Sequence, residues 1–295
     1  MAISKPLLHS FFERIKYPQS QHPKDKLQFL SELQKFFIAN IPFETLALHY
    51  SVDKNVSLEV ADIYDKIVVR NRGGYCHELN TLMGAVLRAL GFHSFAVVCR
   101  FWNSRAEPPQ YRPISHMANI VTIDGMKYLV DVGCGIQGPC RPLPLVASTP
   151  SPGLPSQELK LEYRNLSRHL DENQRVWVYY QRWGQGPWEE IYNFAETEFF
   201  PADFEILNYY TIKCSPFSRM VLVQKFLKDD ETDGLYGTLV LLDDKLNQKT
   251  EAGEVLVATL NSEEDRVAAF SEYFSIQLTM EERNAITTPI HHVAK

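Results

Sequence analysis

The chain has 295 residues, 45% of them hydrophobic and 22% charged, with a formal net charge of −6. That length is long for one compact core and calls for two or three subdomains. The acidic balance argues against nucleic acid as a bulk partner, though not against a local basic pocket for one phosphorylated ligand. Five cysteines, at 76, 99, 134, 140 and 214, are odd in number and lack paired CxxC spacing, so they form neither a disulfide framework nor a zinc site.

In chain order, Leu7, Leu8, Phe11, Phe12 and Ile15 mark one face of a helix and not the continuous apolar core of a signal peptide. A second helix follows Pro23, with Asp25 in its first turn and Leu27, Leu30, Leu33 and Phe37 on one face. Ser57 is expected to cap a third, through Val60, Ile63 and Ile67. A fourth opens at Cys76, carries Leu79, Leu82, Met83, Val86, Leu87 and Leu90 at helical spacing, and stops at Gly91. From Phe95 the pattern turns to β alternation, with strands expected at 96–101, 117–123 and 126–132. A proline-rich loop covers 138–156, and further strands are expected at 175–183 and 189–194. A third region begins near 211, with strands at 220–226, 237–242 and 254–260. A helix then starts at Ser262 and runs through Val267, Phe270, Tyr273 and Phe274. Residues 287–295 read as irregular. No run approaches the ~18 apolar residues of a membrane span. The sequons at Asn55 and Asn165 lack a secretion signal, so the expected location is cytoplasmic, where a free thiol survives.

Arg72-Gly73-Gly74-Tyr75-Cys76-His77-Glu78-Leu79-Asn80 places a thiol at a helix start, after a Gly-Gly break. Unpaired backbone N–H groups and the positive end of the helix dipole both favour thiolate there. A packed core cysteine is the plain alternative for one residue taken alone. Asp124-Gly125, flanked by apolar alternation, signals a two-residue hairpin. Its register pairs Ile123 with Met126, Val121 with Tyr128, Ala118 with Asp131 and His116 with Gly133. His116, Ala118 and Asp131 then share a face, with His116 and Asp131 as diagonal neighbours roughly 7–8 Å apart. Cysteine, histidine and aspartate form a nucleophile, a base and a group that orients the base, the set used for covalent acyl transfer. Periodicity does not say whether water or an amine accepts the acyl group. His77, His93, His169, His291 and His292 have no partners at metal spacing, and Cys99, Cys140 and Cys214 read as packed thiols.

At these residues the chain resembles the arylamine N-acetyltransferases, whose nucleophile motif R-G-G-x-C-x-E-x-N is matched at every fixed position by Arg72 through Asn80. Ile41-Pro42-Phe43-Glu44-Thr45-Leu46 is similar to the family's I-P-F-E-N-L, with Thr45 in place of Asn. Val130-Asp131-Val132-Gly133-Cys134-Gly135 is similar to V-D-V-G-F-G, with Cys134 in place of Phe. Arg141-Pro142-Leu143, the segment from Asp203 to Pro216 and the segment from Glu264 to Leu278 extend the likeness along nearly the whole chain. The resemblance implies an α+β fold: a helical domain (1–92), a central β-barrel-like domain (93–210) and an α/β lid (211–295). The first two would be arranged like a cysteine-protease core.

The resemblance also implies ping-pong transfer from acetyl-coenzyme A through Cys76, with His116 and Asp131 completing the triad. The acceptors would be arylamines, arylhydrazines or N-hydroxyarylamines. Glu44 and Arg72 correspond to a supporting ion pair, with Asn80 near Asp131. Arg112, Pro113, Gly133, Gly135, Tyr210, Ser218 and Arg219 fall where relatives contact coenzyme A. Phe43, Phe101, Trp102, Cys134 and Ile136 fall where they line the acceptor slot. No metal is implied. Fungal members can prefer malonyl-coenzyme A, which stays open as the donor, and Arg112 is a candidate partner for a malonyl carboxylate. A cysteine hydrolase sharing the triad, or a coenzyme A-binding protein without turnover, are the rival readings.

Overall fold

The computed structural model describes residues 3–290, so His291 and His292 lie outside the described residues. Helices α1 (Lys5–Arg14), α2 (Lys26–Asn40), α3 (Val60–Tyr64) and α4 (Cys76–Ala89) occupy the N-terminal part, interrupted by a short strand, β1 (Phe43–Glu44). Asp25 caps α2, its carboxylate accepting from the Gln28 N–H at 2.7 Å, an interaction worth about 1 kcal/mol. The apolar stripes of α1 and α2 meet, with the Phe11 and Phe37 rings 6.0 Å apart. The helix expected from Ser57 begins at Val60 instead. The Ser57 hydroxyl is engaged by the Asp62 carboxylate and the Glu59 N–H, so the chain turns before the helix starts. α3 then widens into a π turn over Asp65–Val69, a stretch whose branched Ile67, Val68 and Val69 favour the α-helix less than straight-chain residues do.

The central sheet has nine strands, all paired antiparallel: β2 (His93–Asn103), β3 (Gln110–Tyr111), β4 (His116–Ile123), β5 (Met126–Val130), β6 (Leu143–Pro144), β7 (Ser151–Pro152), β8 (Gln157–Arg164), β9 (Val176–Trp183) and β10 (Glu189–Phe194). Their order is β6-β5-β4-β2-β10-β9-β8-β7, with β3 on β2. β6 lies against β8, so the sheet curls into a nearly closed barrel. Its interior residues, among them Val97, Ala118, Ile120, Leu129, Leu159 and Tyr179, share one core with Leu79, Leu82 and Val86 of α4. That shared core fixes the start of α4 against the barrel. β8 had not been expected, although Gln157, Leu159 and Leu161 alternate inward along it.

α5 (Pro201–Cys214) leads to a second antiparallel sheet, β11 (Leu222–Lys228), β12 (Leu235–Leu242), β13 (Lys245–Thr250) and β14 (Gly253–Thr259), followed by α6 (Glu263–Phe274) and α7 (Met280–Asn284). Val221, Val223, Leu239, Leu241, Phe270 and Phe274 belong to its separate core. β1 joins this sheet, Phe43 pairing with Gln224 and Glu44 with Val223. The N-terminal region therefore supplies an edge strand to the C-terminal sheet. No helix among the described residues is long and apolar enough to cross a membrane.

Candidate active site

The nucleophile candidate is held by close backbone packing. A Cβ on Gly73 would lie 2.1 Å from the Pro42 carbonyl oxygen, so no side chain fits there. The Glu44 N–H donates to the Gly74 carbonyl at 2.9 Å, which anchors the loop to β1. Glu78 accepts from the Tyr75 N–H at 3.1 Å, satisfying one of the free donors at the start of α4. Cys76 is the first residue of that helix and is 4% exposed.

The hairpin forms as the sequence predicts. Asp124 and Gly125 both have positive φ, at 48° and 83°, and Ile123 pairs with Met126 and Val121 with Tyr128. Carrying that register past the end of β5 sets Asp131 beside His116, and His116 Nε2 lies 2.7 Å from Asp131 Oδ2. Asp131 Oδ2 also accepts from the Tyr192 hydroxyl at 3.0 Å. Its Oδ1 accepts from Asn80 Nδ2 and the Gly133 N–H, each at 2.9 Å. The buried carboxylate thus has about all the hydrogen bonds it can accept.

With Nε2 engaged by Asp131, Nδ1 is the imidazole nitrogen left for Cys76. Burial disfavours the imidazolium, but Asp131 and the thiol outweigh it and raise His116 to about 10. Burial likewise opposes a Cys76 thiolate, yet the imidazoles of His77 and His116 pull the thiol down to about 6. Burial also works against the Asp131 carboxylate, and His116, Asn80 and the Gly133 N–H hold it below the usual range. Each partner therefore shifts the other toward the charged form, which favours a thiolate beside an imidazolium. His77 is fully buried beside the thiol, and neither ring nitrogen has a hydrogen-bond partner among the described residues. Its adjacency to Cys76 was the available signal.

Burial holds the Cys99 and Cys134 thiols well above their usual range. The Cys134 sulfur and ligand atoms of His116 and Asp131 lie within 4.8 Å of one another. A shared metal ion would have to break the His116–Asp131 bond and deprotonate Cys134, so the hydrogen-bonded arrangement is favoured. Cys214, expected to be packed, is exposed, because it ends α5 at the surface.

The remaining candidates separate into groups. The Phe101 ring is 4.9 Å from that of His116, whereas Trp102, the next residue along β2, turns away and packs on Tyr111 at 5.0 Å. Phe43 packs on Phe217 at 5.6 Å. The Ile136 N–H donates to Gln224 Oε1 at 3.1 Å, and Gly135 presses against the same amide with φ of 65°. A Cβ on Gly133 would stand 2.5 Å from Asn80 Nδ2 and 2.7 Å from the Cα of Cys76. The room this glycine leaves is taken by the start of α4. Tyr210 is half-exposed on α5, and the Ser218 hydroxyl donates to the Ser215 carbonyl at 2.9 Å in the turn before Arg219. Arg112 and Pro113 line a cavity with Arg100.

Behind the nucleophile, Arg72 Nη2 lies 3.1 Å from Glu44 Oε1 and Nη1 pairs with Glu282. Lys66 Nζ lies 2.7 Å from Glu78 Oε1. Glu44 and Arg72 stand in recognisable motifs, whereas Lys66 and Glu282 are distant in the chain and carry none. A buried thiolate, an imidazolium and a carboxylate in series are equipped for nucleophilic acyl transfer.

A family model described as N-acetyltransferase matches residues 26–283. The N-malonyltransferase FDB2 of Fusarium pseudograminearum is 30% identical over 316 residues, spanning 96% of this chain and 92% of that protein. Human arylamine N-acetyltransferase 2 is 29% identical over 270 residues, spanning 87% of this chain and 90% of that one. Among solved structures, the arylamine N-acetyltransferase of Nocardia farcinica superimposes with a TM-score of 0.79 at 28% identity, covering 95% of this chain and 93% of that one.

Proposed function

The chain belongs to the arylamine N-acetyltransferase family, and from that premise we propose that Cys76, His116 and Asp131 carry its acyl transfer. The protein is an acyl-coenzyme A-dependent N-acyltransferase. The observation that supports these residue roles is the buried His116 Nε2–Asp131 Oδ2 bond of 2.7 Å on the barrel that packs against the Cys76 helix. In the first half-reaction the thiolate attacks the thioester carbonyl. The coenzyme A sulfur leaves with its electron pair and takes the proton from His116. In the second, an aromatic amine attacks the Cys76 thioester and gives its proton to His116 as the Cys76 thiolate departs. Asp131 keeps Nδ1 turned to the thiol throughout.

Gly133, Gly135, Tyr210, Ser218 and Arg219 are assigned to the donor's path. Phe43, Phe101, Cys134 and Ile136 are assigned to the acceptor slot, which a cysteine in place of the family's phenylalanine widens. Arg112 and Pro113, which line a cavity with Arg100, are assigned to the donor's path as well, and Trp102, packed on Tyr111, to the edge of the slot. Acetyl-coenzyme A is the proposed donor, with arylamines, arylhydrazines or N-hydroxyarylamines as acceptors in the cytoplasm. Malonyl-coenzyme A is the second reading, favoured by likeness to N-malonyltransferases along almost the whole chain. The test mixes the protein with acetyl-, propionyl- or malonyl-coenzyme A. One equivalent of coenzyme A should be released before any amine is added, and the faster donor is the physiological type. Unchanged release in Cys76→Ala removes the assignment of the nucleophile. A rate indifferent to added amine identifies a hydrolase.

A further inference from the structure

The turn that follows Asp131 carries Cys134 and Ile136, two of the residues assigned to the acceptor slot. Its ends are tied down from α2. Gln34, fully buried there, donates through Nε2 to the Asp131 carbonyl at 3.3 Å and to the Pro139 carbonyl at 2.7 Å. Within the turn the Gly138 N–H donates to the Gly135 carbonyl at 3.0 Å. The middle is met from a different direction, by Gln224 of β11, whose Oε1 accepts from the Ile136 N–H at 3.1 Å. An accepted N–H identifies this oxygen as the end of the amide that faces the turn.

Gly135 and Gln224 fit each other as a pair. A Cβ built on Gly135 would stand 2.1 Å from Gln224 Oε1 and 3.8 Å from Phe43 Cγ, so the carboxamide occupies the space a side chain would need. Phe43, a further member of the slot, is the strand partner of Gln224 and bridges to Gly74 of the nucleophile loop. Gln224 therefore touches two walls at once: Phe43 through strand pairing, and the 134–136 turn through its amide. It does so from the C-terminal sheet, which supplies neither the thiol nor its base.

We propose that Gln224 is a positioning residue for the amine acceptor, setting the width of the slot by fixing the turn against Phe43. The inference rests on the reading that Cys134 and Ile136 line that slot. Without the amide, the Ile136 N–H loses its partner, and an N–H is costly to leave unpaired. The N–H then turns outward to water and draws the middle of the turn away from Phe43. The anchors at Asp131 and Pro139 stay in place. The effect falls on which amines fit and not on the His116–Asp131 bond.

The test acylates Cys76 with the faster acyl-coenzyme A donor and then measures transfer to aniline and to 4-butylaniline. The quantity read is the ratio of the two second-order rate constants, which expresses discrimination between acceptors. A general loss of stability or of active enzyme lowers both rates together and leaves the ratio where it was. Gln224→Met keeps the length of the side chain but offers no oxygen. Its ratio should shift about threefold to tenfold toward the bulkier amine, the size expected for one hydrogen bond. Gln224→Glu keeps an oxygen for the Ile136 N–H and should return the wild-type ratio. Ile136→Ala separates this inference from the slot assignment on which it rests. A ratio changed in Ile136→Ala but unchanged in Gln224→Met, or shifted there toward aniline, overturns the role of Gln224 and leaves the slot standing. Ratios unchanged in both variants remove the slot assignment and this inference with it. A Gln224→Glu ratio displaced as far as that of Gln224→Met also overturns the proposal, since the oxygen would then be irrelevant.

Discussion

Replacing His116 by glutamine tests the electrostatics of the site directly, because glutamine keeps an N–H for Asp131 but cannot hold a proton. The Cys76 thiol sits at about 6 against an ordinary 9.0. In the limiting case where it regains 9.0, the thiolate fraction at about pH 6 falls from one half to about 0.001, a loss of about 500-fold. A more basic thiolate is also a better nucleophile. With a Brønsted coefficient of about 0.4–0.5, a rise of three units returns about twentyfold. The net effect on alkylation by iodoacetamide is then a loss of about 25-fold near pH 6, a crossing between about pH 7.5 and 8, and a gain of about fifteenfold near pH 9.5. His77 still faces the thiol in this variant, so a smaller displacement in the same direction is consistent with the mechanism. His77→Phe should displace the profile the same way. The assay is the pH dependence of alkylation at Cys76, followed by mass spectrometry. An alkylation profile of the His116 variant that overlays the wild type at every pH refutes the electrostatic account.

Gly133→Ala should reduce stability by about 1–3 kcal/mol, because its Cβ meets Asn80 and the Cα of Cys76; urea unfolding measures this, and unchanged stability contradicts the packing account. Glu44 is held below its ordinary value, burial being outweighed by Arg72 and Lys66. Its contribution is present above the unfolded value of 4.5 and is lost as pH falls through the lower folded value. Glu44→Gln should therefore cost about 3–5 kcal/mol near neutrality and flatten the stability curve below that point, as read from urea midpoints across acid pH; parallel curves would contradict the assignment.

The chemistry was legible in the sequence where local rules dictate geometry. The Asp124-Gly125 turn fixes a register, the register fixes a face, and the face brings His116 to Asp131. Cys76 was legible for the same reason, as a thiol after Gly-Gly at a helix start. What escaped depends on packing between distant segments. Tyr192 reaches Asp131 only because β10 lies beside β2, and Glu282 reaches Arg72 only because α7 folds back over the loop. β8 had a visible alternation that the neighbouring prolines obscured, while α5 has no clean apolar stripe to announce it.

The pairing of β1 with β11 bears on how the molecule is made. Phe43 bridges Gly74 of the nucleophile loop, but its strand partner is Gln224, and Arg72 finds Glu282 only 210 positions later. At about 5–20 residues per second, a ribosome spends about 10–40 s between those two ends of the ion pair. During that interval the nascent chain holds the complete thiol motif without the strand and the carboxylate that brace it. Bracing of the reactive centre thereby waits until Glu282 has been made.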